Sequence, residues 1–417
     1  MISRLFALIF FVPLVVCIPT SLFARPQYYL TDLGALGGPN GSSTAYGINS
    51  RGQVVGVGGA PTGSRAFLWT PSTLNSPFGS MVDLGDLPGG ADYSLARGIN
   101  SMGQVVGESS AATGTRAFQW TPTILNGSSG SMVDLGDLPG GFDHSRAGAI
   151  NDSGQVAGDS SMTSGTHAFL WTPTAPNGTT GTITHLGDLP GGLDQSLGYD
   201  INAFGQVAGS SDAPPKGSHA FLWTPIKSNA TTGVMVDLGD LPGSSFLSDA
   251  HAINGCGQVV GRGYPGSLPH AFLSTPSTAN AETGAMIDLG DLRGGAGVSA
   301  AADINSQGWI VGGGNSTLVQ TAFLWLPTTP NGATGVMIDL NSVLDPISAA
   351  GWVFQDATGI NDSGQIVGYG RINSAGYTHA LLLTPIPEPN ALTIVILATI
   401  MLHAIRPSVT FRFMCWR

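Results

Sequence analysis

The chain has 417 residues, of which only 10% are charged, and a formal net charge of −11. That charge would repel phosphate backbones, which argues against nucleic acid as a partner and permits a cation or a neutral glycan. Sparse charge, 61 glycines and only Lys216 and Lys227 as lysines depart from a cytoplasmic globular protein and fit a secreted β-rich one.

Residues 1–24 read as a secretory signal. Arg4 gives a positive start, Leu5 to Cys17 is almost wholly apolar, and Ser21-Leu22-Phe23-Ala24 offers a small residue for cleavage. The apolar run is short for a membrane-spanning helix. Val16 precedes Cys17 where a lipoprotein signal would carry a small residue, which disfavours lipidation.

From residue 27 onward one phrase recurs seven times. Its Asp-Leu step falls at Asp32, Asp83, Asp134, Asp237, Asp288 and Asp339, with His185 replacing Asp in the fourth copy, at spacings of 51, 51, 51, 52, 51 and 51. A period this regular marks one supersecondary unit repeated. In the second copy Met81–Leu84 reads as a strand and Gly85–Ser94 as a loop. Ala96–Ile99, Gln104–Gly107 and Arg116–Trp120 read as further strands, the last stopped by Thr121-Pro122. Between the second and third strands lies a tight turn. Asn at its first position bonds the backbone further on, and Gly at its fourth accepts a positive φ. Every copy keeps both: Asn49 with Gly52, Asn100 with Gly103, Asn151 with Gly154, Asn202 with Gly205, Asn254 with Gly257, Asn305 with Gly308 and Asn361 with Gly364. A structural role for this asparagine is the better reading, with a ligand as the alternative.

The strands carry apolar residues on both faces, as in Phe67-Leu68-Trp69 and Val54-Val55. Such sheets need neighbours on both sides. Four-stranded sheets stacked about an axis supply them, so the expected fold is all-β, a seven-bladed β-propeller over 27–385. Each blade then fills only its own interfaces, and no single core has to serve the whole length. A linear β-solenoid is second, because the period is long for a solenoid coil. Residues 28–33 either begin the first blade or complete the last.

The phrases His167–Pro173, His219–Pro225 and Ile150–Gly158 resemble those of the HAF family of extracellular repeat proteins. The resemblance spans about residues 27–385. In the last copy the step from Asp339 to Ile360 lengthens to 21 residues from 16 elsewhere, and Asp339-Leu340-Asn341, Asp345-Pro346 and Gly351-Trp352 are similar to that family's closing repeat. The family implies an extracellular place and no established activity. In the segment 386–417, Pro387-Glu388-Pro389 is followed by the apolar stretch Ala391–Leu402 and then Arg406, Arg412 and Arg417. This resembles the PEP-CTERM sorting signal of Gram-negative bacteria, although its arginines are dispersed. The resemblance implies an exosortase-type processing enzyme, transient membrane anchoring and cells that make extracellular polysaccharide. A plain membrane anchor is the alternative.

Chemistry is sought in two places. His167, His219, His270 and His379 head four HAF phrases, where Arg65, Arg116 and Thr321 fill the same slot. Equivalent positions on a ring do not converge on one ion, so these residues are read as braces to a neighbouring strand or loop through the Asp of the Asp-Leu-Gly phrase. Asp86, Asp137, Asp188, Asp240 and Asp291 recur in glycine-rich loops, with Asp92, Asp143 and Asp194 nearby. They are the candidate Ca²⁺ ligands, against ordinary Asx turns. No other cofactor is suggested. The second place is where the repeat is broken: His185, Cys256, Arg293, Trp309, and Arg146, Tyr199 and His251 before the Ile-Asn steps. Cys256 is the sole cysteine between the two end segments and occupies a turn position that tolerates many residue types.

No catalytic motif stands out. The expected role is non-catalytic: a secreted or cell-surface module for adhesion, or for binding and organising matrix polysaccharide. A polysaccharide lyase or glycosidase is the alternative. An enzyme would gather its off-repeat His, Arg and carboxylates on one rim, and a scaffold would scatter them.

Overall fold

A computed structural model describes residues 26–387, apart from 215–216, 244–246, 283, 293–296, 317–318 and 373–375. The signal segment, Arg293, Glu388, Pro389 and the apolar stretch after them lie outside the described residues, and Pro387 is exposed at the boundary.

The fold is all-β, with one 3-10 turn at Leu340–Val343 and no α-helix among the described residues. Strand β1 (Gln27–Asp32) comes first in the chain. Strands β2 (Ser43–Ile48), β3 (Val54–Ala60), β4 (Gly63–Pro71) and β5 (Gly79–Asp83) then form an antiparallel meander. The same order repeats over 89–134, 145–185, 196–239, 248–288 and 299–339. One parallel bridge, Ser64 to Tyr93, joins the first two meanders into a single sheet. The last sheet has only three strands of its own, Trp352–Ile360, Ile366–Ile372 and Thr378–Ile386. Its fourth is β1, which pairs with Thr378–Ile386 from Gln27↔Ile386 to Asp32↔Leu381. Of the two placements open for residues 28–33, the chain adopts completion of the last sheet.

Sequence copy and sheet are therefore out of step by one strand. The Asp-Leu phrase opens each copy but ends the sheet begun earlier, so that Phe67 pairs with Asp83 and Phe118 with Asp134. The loop expected over 85–94 is also shorter than its glycines imply. The strand Gly89–Ile99 reaches back to Gly89, with a register shift before Ser94.

Burial on both faces follows from the residues. Val54, Val55, Phe67 and Leu68 are all 0% exposed. Val55 and Leu68 pack against Phe118 and Trp120 of the following meander. Val54, Phe67 and Trp69 pack against Val367 and Leu382 of the last sheet. Apolar interfaces thus run from each sheet to the next and from the last back to the first. The glycine of the Gln-Val-Val-Gly phrase permits this packing, because a side chain on Gly56 would meet the Thr44 carbonyl and the Phe67 ring.

The turn asparagines do more than shape their turns. Asn151 Oδ1 accepts from the N–H groups of Ser153 and Gln155, both at 3.0 Å. Its Nδ2 donates to Gln155 Oε1 at 3.1 Å and to the Asn202 carbonyl of the next sheet at 3.2 Å. The donation to the next asparagine's carbonyl recurs from Asn49 to Asn100, Asn100 to Asn151, Asn202 to Asn254, Asn254 to Asn305 and Asn305 to Asn361. It returns from Asn361 to Asn49 at 3.1 Å. The cycle is closed.

A second layer has one gap. Gln53 Nε2 donates to the Asn126 carbonyl of the next sheet's outer loop at 3.1 Å, and Gln365 does the same to Asn75 at 3.2 Å. These loop asparagines hold φ between 55° and 60°, the left-handed region that Asn tolerates better than most residues. In the sixth meander Trp309 stands in place of the glutamine. The last sheet has no such loop among the described residues, since it takes its fourth strand from the other end of the chain. Trp309 instead lies with Pro385 against Gly364 and packs on the cluster containing Leu381 and Leu383.

Two stability predictions follow from these layers. Asn151→Ala should cost about 2–4 kcal/mol in denaturant unfolding, because it strands buried donors and acceptors on two sheets. Trp309→Gln restores the repeat residue yet should destabilise by about 2–3 kcal/mol, since it has no loop carbonyl to meet and leaves a cavity. A neutral result at Trp309 would mean that it does not fill the seam.

Candidate functional site

The first strand of every sheet ends at the turn asparagine, so these strands converge. The residues just before each asparagine line a central cavity of about 210 Å³, among them Tyr46, Arg97, Tyr199, Asp200, His251 and Asp303. In all seven copies a β-bulge falls within this slot, on Tyr46, Arg97, Tyr199, His251 and their equivalents, with a second one in the last sheet. The bulge turns the next side chains toward the cavity.

Asp200 and Asp303 form the acidic part of the wall. Asp200 Oδ1 accepts from its neighbour Ile201 N–H, and Oδ2 accepts from Ile253 N–H of the next sheet, both at 2.8 Å. Asp303 does the same with Ile304 at 2.7 Å and Ile360 at 2.8 Å. Each carboxylate therefore staples two adjacent sheets. Burial raises both acids above the usual carboxylate range, and with the like charge of Asp200 added, Asp303 reaches about 7. Burial lowers His251, whose Nδ1 lies 2.7 Å from the Ala301 carbonyl. In the neutral ring that Nδ1 carries the proton, which leaves Nε2 as an acceptor. The His251 ring meets Tyr199 edge-on at 6.1 Å.

Ion pairs surround the same end of the cavity. Arg146 Nε and Nη2 each lie 3.1 Å from Asp159, a bidentate pair. Arg262 Nε donates to Asp249 at 2.9 Å. Arg97 Nη2 is 3.5 Å from Glu108 Oε1, which also accepts from Tyr93 OH at 2.7 Å. Glu108 Oε2 is enclosed without a hydrogen-bond partner. On the last sheet Tyr369 OH donates to Asp356 Oδ2 at 3.3 Å, and burial carries Asp356 up to about 6.

The off-repeat residues thus divide. Arg146, Tyr199 and His251 come together at this mouth. Cys256 lies at the opposite end, in a turn, with Asn331 Nδ2 3.8 Å from its sulfur. His185 stacks edge-on against His167 at 4.6 Å, in the place where other copies form a His–Asp pair. Those pairs are the expected braces: His219 with Asp237 at 2.9 Å, His270 with Asp288 at 2.8 Å and His379 with Asp32 at 2.8 Å.

The loop carboxylates stay on separate sheets. Asp86 pairs with Arg65, Asp137 pairs with Arg116 at 2.6 Å, and Asp240 lies 3.3 Å from His219 Nε2. Asp291 accepts from Gly297 N–H at 2.9 Å. Asp188 lies close enough to His185 to favour that ring's charged form, against the burial and the His167 contact that lower it. Among the described residues no three metal-ligating side chains come together.

Sequence reading found Arg146, Tyr199 and His251 but missed Asp200, Asp303, Arg97 and Glu108. The signal was present: the slots before each Asn vary freely, from Tyr46-Gly47 to Arg97-Gly98 to Asp303, while the turn itself does not. The chain matches no protein-family model and no curated protein.

The titration of Asp303 carries a sign. Its folded value lies above the unfolded one of about 3.9, so the folded state holds more protons between the two. The stability it contributes is present at low pH and is lost as pH rises through about 7. The thermal midpoint should therefore drop between pH of about 5 and about 8, and drop less in Asp200→Asn, which removes the like charge. Equal drops in the two proteins would show that these carboxyls do not interact.

Proposed function

We propose that the chain closes as a seven-bladed β-propeller and that its axial mouth binds a glycan, without catalysis, at the cell surface or in the extracellular matrix. Support for closure comes from the uninterrupted cycle of asparagine bonds, the pairing of Gln27–Asp32 with the last strand, and the apolar interface between last and first sheets. A seven-membered cycle of like sheets leaves a central channel, where propellers have room for a ligand.

The observation that carries the binding reading is the convergence of off-repeat residues at one mouth, with their charges already paired. Tyr46, Tyr199 and His251 offer ring surfaces and polar tips. Arg97 and Arg146 keep about a third of their side chains exposed (36% each), while their acids are buried beneath them (9% and 5%). Such fixed donors and acceptors suit sugar hydroxyls, and the enclosed Glu108 Oε2 is a further acceptor. A cavity of 210 Å³ is small against the roughly 300–1,000 Å³ of drug-sized sites, which suits one sugar unit or a chain end.

Glycoside hydrolysis needs one carboxyl free as acid and another free as base or nucleophile. Asp200 and Asp303 have each oxygen committed to a backbone N–H, Asp159 and Asp249 are paired with arginines, Asp356 accepts from Tyr369, and Glu108, although its Oε2 is unpartnered, is held through Oε1 by Arg97 and Tyr93. This favours binding over catalysis. The gathering of Arg146, Tyr199 and His251 on one rim is the feature that keeps a carbohydrate-active enzyme as the second reading.

The test mixes the purified protein with extracellular polysaccharide from the producing cells and follows co-sedimentation and new sugar ends together. The protein should pellet with the polysaccharide and release no ends. Tyr199→Ala and Arg97→Ala should each weaken binding by about tenfold, near 1.4 kcal/mol. New reducing ends, or unsaturated sugars left by a lyase, would replace this reading with the enzymatic one.

A further inference from the structure

The two ends of the sheets differ in charge. The outer hairpin loops, 72–78, 123–129, 174–180, 226–232, 277–283 and 328–334, together contain one acid, Glu282, and one base, Lys227, in a chain with 26 acids. They share a face with the asparagine turns, since the Asn75 and Asn126 N–H groups donate to the Arg51 and Met102 carbonyls. The loops at the opposite end carry the Asp86, Asp137, Asp188 and Asp240 series.

On the charge-poor face the large apolar side chains are exposed and adjacent. Leu74 and Phe78 are each 65% exposed, Ile124 72% and Leu125 69%. Leu74 and Leu125 line one cleft between neighbouring loops. Phe78 meets the Tyr29 ring edge-on at 6.5 Å, and Tyr29 lies on β1, two residues from the Gln27↔Ile386 pair. The described chain therefore both starts and finishes beside this apolar rim. Apolar residues also protrude at the opposite end, Phe142 and Leu193 among them, but there they alternate with the loop aspartates.

We propose that this rim, with Leu74, Phe78, Ile124 and Leu125 at its centre, rests on a lipid bilayer and turns the glycan-binding mouth away from it. The distance fixes the occupant. Five residue steps separate Ile386 from Ala391, where the apolar stretch to Leu402 begins. Fully extended, they span at most about 17 Å. A bilayer that holds 391–402 then has this face within reach of its headgroups, where apolar side chains bury roughly 5–10 Å deep. The outer loops carry one acid, Glu282, and the asparagine turns beside them add Asp152 and Asp362 against Arg51 and Lys227, so this face brings little net charge to an anionic leaflet. The inference rests on residues 391–402 being held by the membrane, and not on the nature of the ligand at the mouth.

Hydrogen exchange of the full chain on phosphatidylcholine–phosphatidylglycerol vesicles tests it, because it reports rim and tail separately. Amides in 72–78 and 123–129 should slow by about fivefold or more relative to the same chain without vesicles, while 191–195 at the opposite end stays unchanged. The combined variant Leu74→Ser, Phe78→Ser, Ile124→Ser and Leu125→Ser should lose that slowing and keep its circular dichroism. Slowing in 391–402 alone would overturn the rim proposal and leave the anchor standing. No slowing in either region would overturn both. Slowing of the rim without vesicles that grows with protein concentration would also overturn it, in favour of contact between copies.

Discussion

One side-chain amide organises this molecule. Each turn asparagine uses its oxygen inward, on two N–H groups of its own hairpin, and its nitrogen outward, on the carbonyl of the next asparagine. Only a side chain with an acceptor and a donor on the same short arm can do both. Serine lacks the second donor, aspartate lacks any donor when ionised, and glutamine is a methylene too long for the turn. Local turn and sheet-to-sheet spacing are thus fixed by the same group. Because the group is buried, its bonds are costly to lose, and the cycle tolerates no exception: all seven copies carry it.

This double duty explains what the sequence made legible. The invariant Asn and Gly, the apolar residues on both strand faces and the fixed period all express constraints that every sheet shares, so repetition exposes them. The His–Asp braces were legible for the same reason. The strand that completes the last sheet was not, because residues 28–33 satisfy either pairing equally well by pattern. What decides is the pairing of Gln27–Asp32 with Thr378–Ile386, which leaves the last sheet no outer loop among the described residues, a property of where the strands are cut and not of any motif. Trp309 belongs to the same event. Read alone it is an anomaly in a glutamine position; read with the missing loop it is the residue that replaces a carbonyl acceptor with packed surface.

The site was half legible. Tyr199 and His251 announced themselves as large residues in the slot three before the turn asparagine, where Gly148 and Ala302 are small, and Arg146 as a basic residue two positions earlier in its own copy. Asp200 and Asp303 did not, because Asp is frequent throughout the loops and a lone one before Ile-Asn looks like another turn former. Their importance comes from depth. The bulge aims them at the cavity, where burial raises their titration and their oxygens bind the next sheet's backbone. The glycines and alanines in the equivalent slots, Gly47, Gly98 and Ala149, make no such bridge and leave that side of the cavity open.

The two ends of the sheets therefore answer to different demands. At the asparagine end every position next to the axis is committed to closing the cycle, and variation survives only at tolerant turn sites such as Cys256 and in the outer loops. At the bulged end the ladder is already broken, so a side chain there can change from Tyr to Arg to His without disturbing the bonds that hold the sheets together. Side chains at the bulged positions can therefore vary without altering the asparagine cycle. This division also predisposes the ends to separate roles, since both ends of the described chain, and whatever they are tethered to, emerge at the asparagine end. The mouth that varies is left facing the other way.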